Sequence, residues 1–105
     1  HIAEEKYYHS LLLVWLYSMG FKAQGELPTN TGRIDAVWEL ADTTVITEIK
    51  YDKTVAKDRL LEAAMTQIHD RKYYESSLAA GKKILLLAVA FSGKEIGCKI
   101  EGLRD

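Results

Sequence analysis

Residues Ile84 to Phe91 form an uninterrupted apolar run of eight. Crossing a membrane takes about 20 such residues, so the run is no membrane span. Bounded by Lys82-Lys83 and Ser92-Gly93, it reads as a β-strand covered on both faces. A strand of that kind needs a sheet with helices on each side, which selects the α/β class.

The rest of the chain supplies those elements. Residues Glu4 to Met19 place Tyr8, Leu12, Trp15 and Met19 at spacings of three and four, which predicts a helix burying that stripe. Gly20 ends it. Phe21 to Leu27 is a short strand, closed by the turn residues Pro28-Thr29-Asn30-Thr31-Gly32. Arg33 to Leu40 and Thr44 to Tyr51 are strand-like and joined around Ala41-Asp42-Thr43, the mark of an antiparallel hairpin. Val55 to Leu78 reads as one long helix with Leu60, Leu61, Ala64 and Ile68 on its buried side. Gly81 marks its end. After Ile84–Phe91 a turn at Ser92-Gly93-Lys94 leads to a last strand, Glu95 to Glu101. The expected order is α-β-β-β-α-β-β, with a central mixed sheet flanked by helices.

The whole length, 105 residues with 48% hydrophobic and 28% charged, is read as one domain spanning 1–105. Lone Cys98 excludes an internal disulfide and fits a reducing, cytoplasmic setting. No charged-then-apolar leader opens the chain, so export and membrane insertion are not expected. It begins at His1-Ile2 without Met and is read as a fragment of a longer protein. The net charge is −1, from 14 Lys and Arg against 15 Asp and Glu. Bulk charge therefore attracts no polyanion, and any such contact needs a local patch or an added metal.

The hairpin is where chemistry can gather. Side chains alternate along a strand, so Glu48 and Lys50 share a face with Ile46. A turn at Ala41-Asp42 sets Asp35 opposite Glu48, and one at Asp42-Thr43 sets it opposite Lys50. Either register collects Asp35, Glu48 and Lys50, whereas a slip by one residue sends Asp35 to the other face. Two close carboxylates stay ionised together only with a cation between them. Mg²⁺ or Mn²⁺ suits such oxygens, and the backbone carbonyl of Ile49 offers another ligand. Lys50 beside them can orient a water or offset charge on a phosphate. The plain alternative is a solvated strand face carrying a Glu–Lys pair.

Gly32-Arg33-Ile34-Asp35 followed by Ile46-Thr47-Glu48-Ile49-Lys50 resembles the PD-(D/E)XK nuclease superfamily. The likeness extends to Glu5-Lys6-Tyr7-Tyr8-His9-Ser10-Leu11-Leu12, to Ala64-Met65-Thr66-Gln67-Ile68 followed by Tyr73, and to Gly81-Lys82-Lys83. These resemble the branch found C-terminal to AAA-type ATPase domains. The resemblance implies a restriction-endonuclease-like fold and a metal-dependent nuclease hydrolysing phosphodiester bonds, with DNA as the substrate. It implies that Asp35 and Glu48 hold the metal, that Lys50 is the catalytic lysine, that Glu5 joins the metal shell and that Gln67 faces the site. It also implies an ATPase domain in the parent chain and a homodimer. Ile34 stands where the superfamily often has Pro. No G-x-x-x-x-G-K-[ST] phosphate loop is present, so nucleotide binding by that route is not expected.

Each of these residues also has a bland reading. Glu5 is equally a favourable charge at a helix N-terminus, and Gln67 equally a helix residue bonded at the sheet edge. His9 is expected to pack beside Tyr8, His69 to be exposed, and Trp38 to point away from the site. Lys53, Lys57 and Arg71 are candidates for gripping a nucleic-acid backbone; a solvated face is the alternative for each. The competing functional reading is a non-cleaving nucleic-acid-binding or protein-interaction domain that regulates an attached ATPase.

Overall fold

The computed structural model of the chain describes residues 2–29, 32–93 and 95–103. Its elements are α1 (Ile2–Ser18), β1 (Ala23–Thr29), β2 (Gly32–Leu40), β3 (Thr43–Asp52), α2 (Lys57–Arg71), α3 (Glu75–Ala79), β4 (Lys83–Ser92) and β5 (Glu95–Leu103). The five strands form one sheet in the order β1-β2-β3-β4-β5. Only the β3–β4 pair is parallel; the other three are antiparallel. This is the mixed α/β sheet expected. Among the described residues no helix is long and apolar enough to cross a membrane.

The hairpin joint resolves to two residues, because Leu40 pairs with Thr43. Ala41 sits at φ 54° while Asp42 does not share a positive φ, the signature of a type II′ turn. Glycine is the usual occupant of that first position, and its absence here explains why the sequence left two registers open. Of the expected turn at 28–32, Asn30 and Thr31 lie outside the described residues, as does Lys94 after β4.

The two faces of the sheet carry separate clusters. On one, α2 buries Leu60, Leu61, Ala64, Met65 and Ile68 against Ile46, Ile84, Leu86, Ala88 and Ala90. On the other, Tyr8 and Leu12 of α1 cover Ile49, Val89 and Phe91, with the Tyr8 ring stacked on Phe91 at 4.1 Å. Leu16 is buried as well. The α1 stripe is therefore Tyr8, Leu12 and Leu16, which corrects the expected one: Trp15 and Met19 are 64% and 54% exposed. A helix apolar on nearly every side offers several candidate stripes, and sheet packing chose among them.

The long helix expected over Val55–Leu78 is broken. It stops at Arg71, Lys72 takes a left-handed φ of 50°, and a short α3 follows. The apolar stripe ends at Ile68, since the next positions on that side are Arg71, Lys72 and Glu75. Breaking the helix there turns Tyr73 inward, where it is 2% exposed. His69 is half-buried rather than exposed, bonded to Glu101 at 2.9 Å. Strand β4 is covered on both faces only over its second half, because Leu85 and Leu87 remain half-exposed.

Replacing Ala41 by Gly removes the positive-φ strain at the turn. The expected gain is about 0.5–1 kcal/mol with the register unchanged, read as a raised urea midpoint at constant slope. A drop in the midpoint contradicts this turn.

Candidate functional site

The β2–β3 ladder runs from Leu40↔Thr43 to Ala36↔Thr47, so Asp35 falls one step beyond it, opposite Glu48. Strand β2 continues to pair with β1 out to Thr29↔Gly32. The two central strands thus part at Asp35. The backbone N–H of Ile49 donates to Asp35 Oδ2 at 2.8 Å, so a side chain replaces the missing ladder partner. The carbonyl of Ile49 leaves the strand on the same side as its N–H, toward this gap. On the outer side, His9 of α1 donates Nε2–H to the Asp35 carbonyl, pinning β2 from the opposite face.

Glu48 and Lys50 lie beside Ala88 and Ala90 of β4. Neither alanine fills the space above the sheet, and α2 roofs it with Gln67. The Gln67 amide is fully committed. Its Nε2 donates to Glu48 Oε2 at 2.8 Å and to the Tyr73 hydroxyl at 3.1 Å. Its Oε1 accepts from Lys50 Nζ at 2.6 Å. A flipped amide would set NH₂ against the ammonium, so the contacts fix its orientation. Lys50 Nζ also stands 3.7 Å from Glu48 Oε2.

The second Glu48 oxygen, Oε1, is buried and has no hydrogen-bond partner. Burial first, and then repulsion from the Asp35 carboxylate, push the Glu48 carboxyl up to about 8, against the opposing pull of Lys50. A carboxylate held out of water with one idle oxygen, beside a second carboxylate, fits a hard dication. Mg²⁺ is commonly held by one or two protein carboxylates and completes its shell with water and phosphate oxygens. Among the described residues no three His, Cys, Asp or Glu side chains converge. The Glu5 side chain lies outside those described.

The structure therefore brings Asp35, Glu48, Lys50 and Gln67 together. It places Lys57 elsewhere: its stem lies over Gly97 of β5, and its Nζ is 4.0 Å from Glu95. Lys53 is exposed in the loop between β3 and α2. Arg71 closes α2 against Gly32, where an added Cβ would come within 2.8 Å of Nη1. An open hollow of about 460 Å³ runs along the flank of α2, lined by Arg59, Glu62, Thr66, Gln67, Asp70 and Arg71. Trp38 points away as expected, donating Nε1–H to Thr47 on the α1 side. Tyr73, Ala88 and Ala90 shape the site without standing out as site residues in the sequence. The two alanines are visible as small residues inside an apolar strand.

A family model described as PD-(D/E)XK nuclease superfamily matches residues 3–101. No curated protein matches the chain. The chain belongs to that superfamily, which makes it a nuclease-type domain, and members generally use divalent metals.

Folded Glu48 titrates near 8, above the ordinary 4.5. Between those values the folded state keeps a proton that the unfolded chain has lost, so this group's contribution to stability declines as pH rises from about 4.5 to 8. In EDTA, Glu48→Gln is expected to be close to wild type at pH 5 and more stable at pH 8.5, by about 1–3 kcal/mol. Urea unfolding at both pH values measures this. An unchanged difference contradicts the buried carboxyl.

Proposed function

We propose that this member of the PD-(D/E)XK superfamily is a Mg²⁺- or Mn²⁺-dependent nuclease that hydrolyses phosphodiester bonds in DNA. One observation carries the reading: the idle, buried Glu48 oxygen beside Asp35, with Lys50 tethered above it. Asp35, Glu48 and the Ile49 carbonyl would hold the ion, with Glu5 as a further ligand. When bound, it would supply Lewis-acid polarisation of the phosphate and offset charge on the leaving oxygen. Lys50 Nζ holds the attacking water through its remaining protons. Gln67 orients Lys50 and Glu48 together, since one amide serves both. The net charge of −1 leaves attraction of the DNA backbone to the ion and to local cations such as Lys53 and Arg71. We read the domain as part of a longer cytoplasmic protein that carries an AAA-type ATPase.

A panel of single- and double-stranded DNA and RNA with Mg²⁺ or Mn²⁺ tests the assignment. The expected result is metal-dependent cleavage of DNA that drops by about 100-fold or more in Asp35→Asn and Lys50→Ala. Asn at 35 keeps an acceptor for the Ile49 N–H, so the loss is not one of folding. Binding without cleavage favours the second reading, a non-cleaving nucleic-acid-binding or protein-interaction domain that regulates the ATPase. The exposed apolar side chains of α1 and β5 support that reading.

Metal binding is separable from cleavage. Calorimetric titration with Mn²⁺ is expected to give heat and proton release with wild type at pH 7 and none with Glu48→Gln. Equal heats from the two proteins remove Glu48 from the metal site.

A further inference from the structure

Five strands spaced about 4.8 Å apart span roughly twice the width of one helix, so a single helix cannot cover a face of this sheet. On its face α1 lies against β3 and β1. The same face of β4 and β5 is left with Leu85 and Leu87 half-exposed and Ile96, Cys98 and Ile100 exposed. The register sends Glu95, Lys99 and Glu101 to the opposite face, so no charge interrupts this strip.

The helix beside it is equally unfinished. Tyr8 and Leu12 look toward β4, through Phe91 and Val89, whereas His9 and Leu13 look toward Gly25 of β1. Tyr7, Leu11 and Trp15 come next around the helix on the Tyr8 and Leu12 side, and so border the bare strands. Tyr7, Val14 and Trp15 are more than 60% exposed and Leu11 is 48% exposed. From Tyr7 to Phe21 the chain carries no Asp, Glu, Lys or Arg. A helix flank seeking a sheet thus lies beside a sheet strip seeking a helix. Such a patch is self-complementary, as a two-fold interface requires.

We propose that this surface is occupied by a second copy of the chain, the outer face of each α1 covering the bare β4–β5 strip of the other. Size supports that occupant. Tyr7, Leu11, Val14, Trp15, Ile96 and Ile100 are 48–68% exposed. At roughly 150–250 Å² for each of the two aromatic side chains, with four aliphatic ones beside them, they offer an area on the order of the roughly 800 Å² per partner of a standard interface. The site residues Glu48, Lys50 and Gln67 lie on the other face, under α2, so pairing leaves both sites open and facing away from the two-fold contact.

Sedimentation of the purified chain tests this, independently of nuclease activity. At a concentration on the order of 50 µM wild type is expected to be a dimer. Trp15→Arg and Ile100→Glu should each raise the dissociation constant by about 100-fold or more. Both positions are exposed in the single copy, so circular dichroism should stay at the wild-type value, and Tm should match wild type once dilution makes wild type monomeric too. An equimolar mixture of the two variants should regain the dimer. One reciprocal contact then joins the substituted positions as an opposite-charge pair, and the other is wild type. A monomeric wild type, a dimer indifferent to either substitution, or a mixture that stays monomeric overturns the proposal. Capture of a different protein by a monomeric chain also overturns it.

Discussion

The placement of Glu48 sets most of what the rest of the molecule must do. Its strand runs parallel to β4 and is covered by α2 on the same face, so the carboxyl is almost wholly buried, at 3% exposed. An isolated carboxylate in that position is costly, and the surroundings answer in two ways at one of its oxygens only. Gln67 donates to one oxygen, Lys50 approaches the same oxygen, and the other is left without a partner. An apolar strand with two alanines provides the room. Bulkier residues at 88 and 90 would have completed the core and abolished the cleft.

Much of this arrangement was legible from strand parity. The spacing of Glu48 and Lys50 put both on one face, whereas Asp35 joins them only across an even-numbered joint, a condition the sequence left open and the two-residue turn meets. The turn could not be placed by inspection because Ala41 occupies a position where glycine would have signalled it. Two features lay beyond periodicity. Six residues along a continuous helix amount to about 240°, which would send Tyr73 away from Gln67. Only the left-handed Lys72 returns the ring to the amide, and nothing in a Lys-Tyr-Tyr run marks it. The buried side of α1 was the other. A helix with Tyr, Leu, Val, Trp and Met on nearly every flank has no preferred stripe until a sheet selects one, so Leu16 displaced Trp15 and Met19.

The two faces of the sheet have different jobs as a result. Under α2, Gln67 ties Glu48, Lys50 and Tyr73 into one network, and among the described residues one buried side-chain oxygen, Glu48 Oε1, has no partner. Under α1 the contacts include Trp38–Thr47 and His9–Asp35, and apolar cover stops partway across. The polar cluster and the bare apolar strip thereby lie on opposite faces of one strand layer. The faces are joined at Asp35, whose carbonyl is held by His9 of α1 and whose carboxylate reaches the cleft.

The carboxylate of Asp35 does two things with one group. It fastens the Ile49 amide where the ladder gives out, and it adds negative charge to the cleft. Trimming the side chain sheds the charge but also leaves the Ile49 N–H without its acceptor at the point where the strands part. Asn at 35 would keep the clasp on the Ile49 amide and drop the charge, a neutral side chain of the same shape.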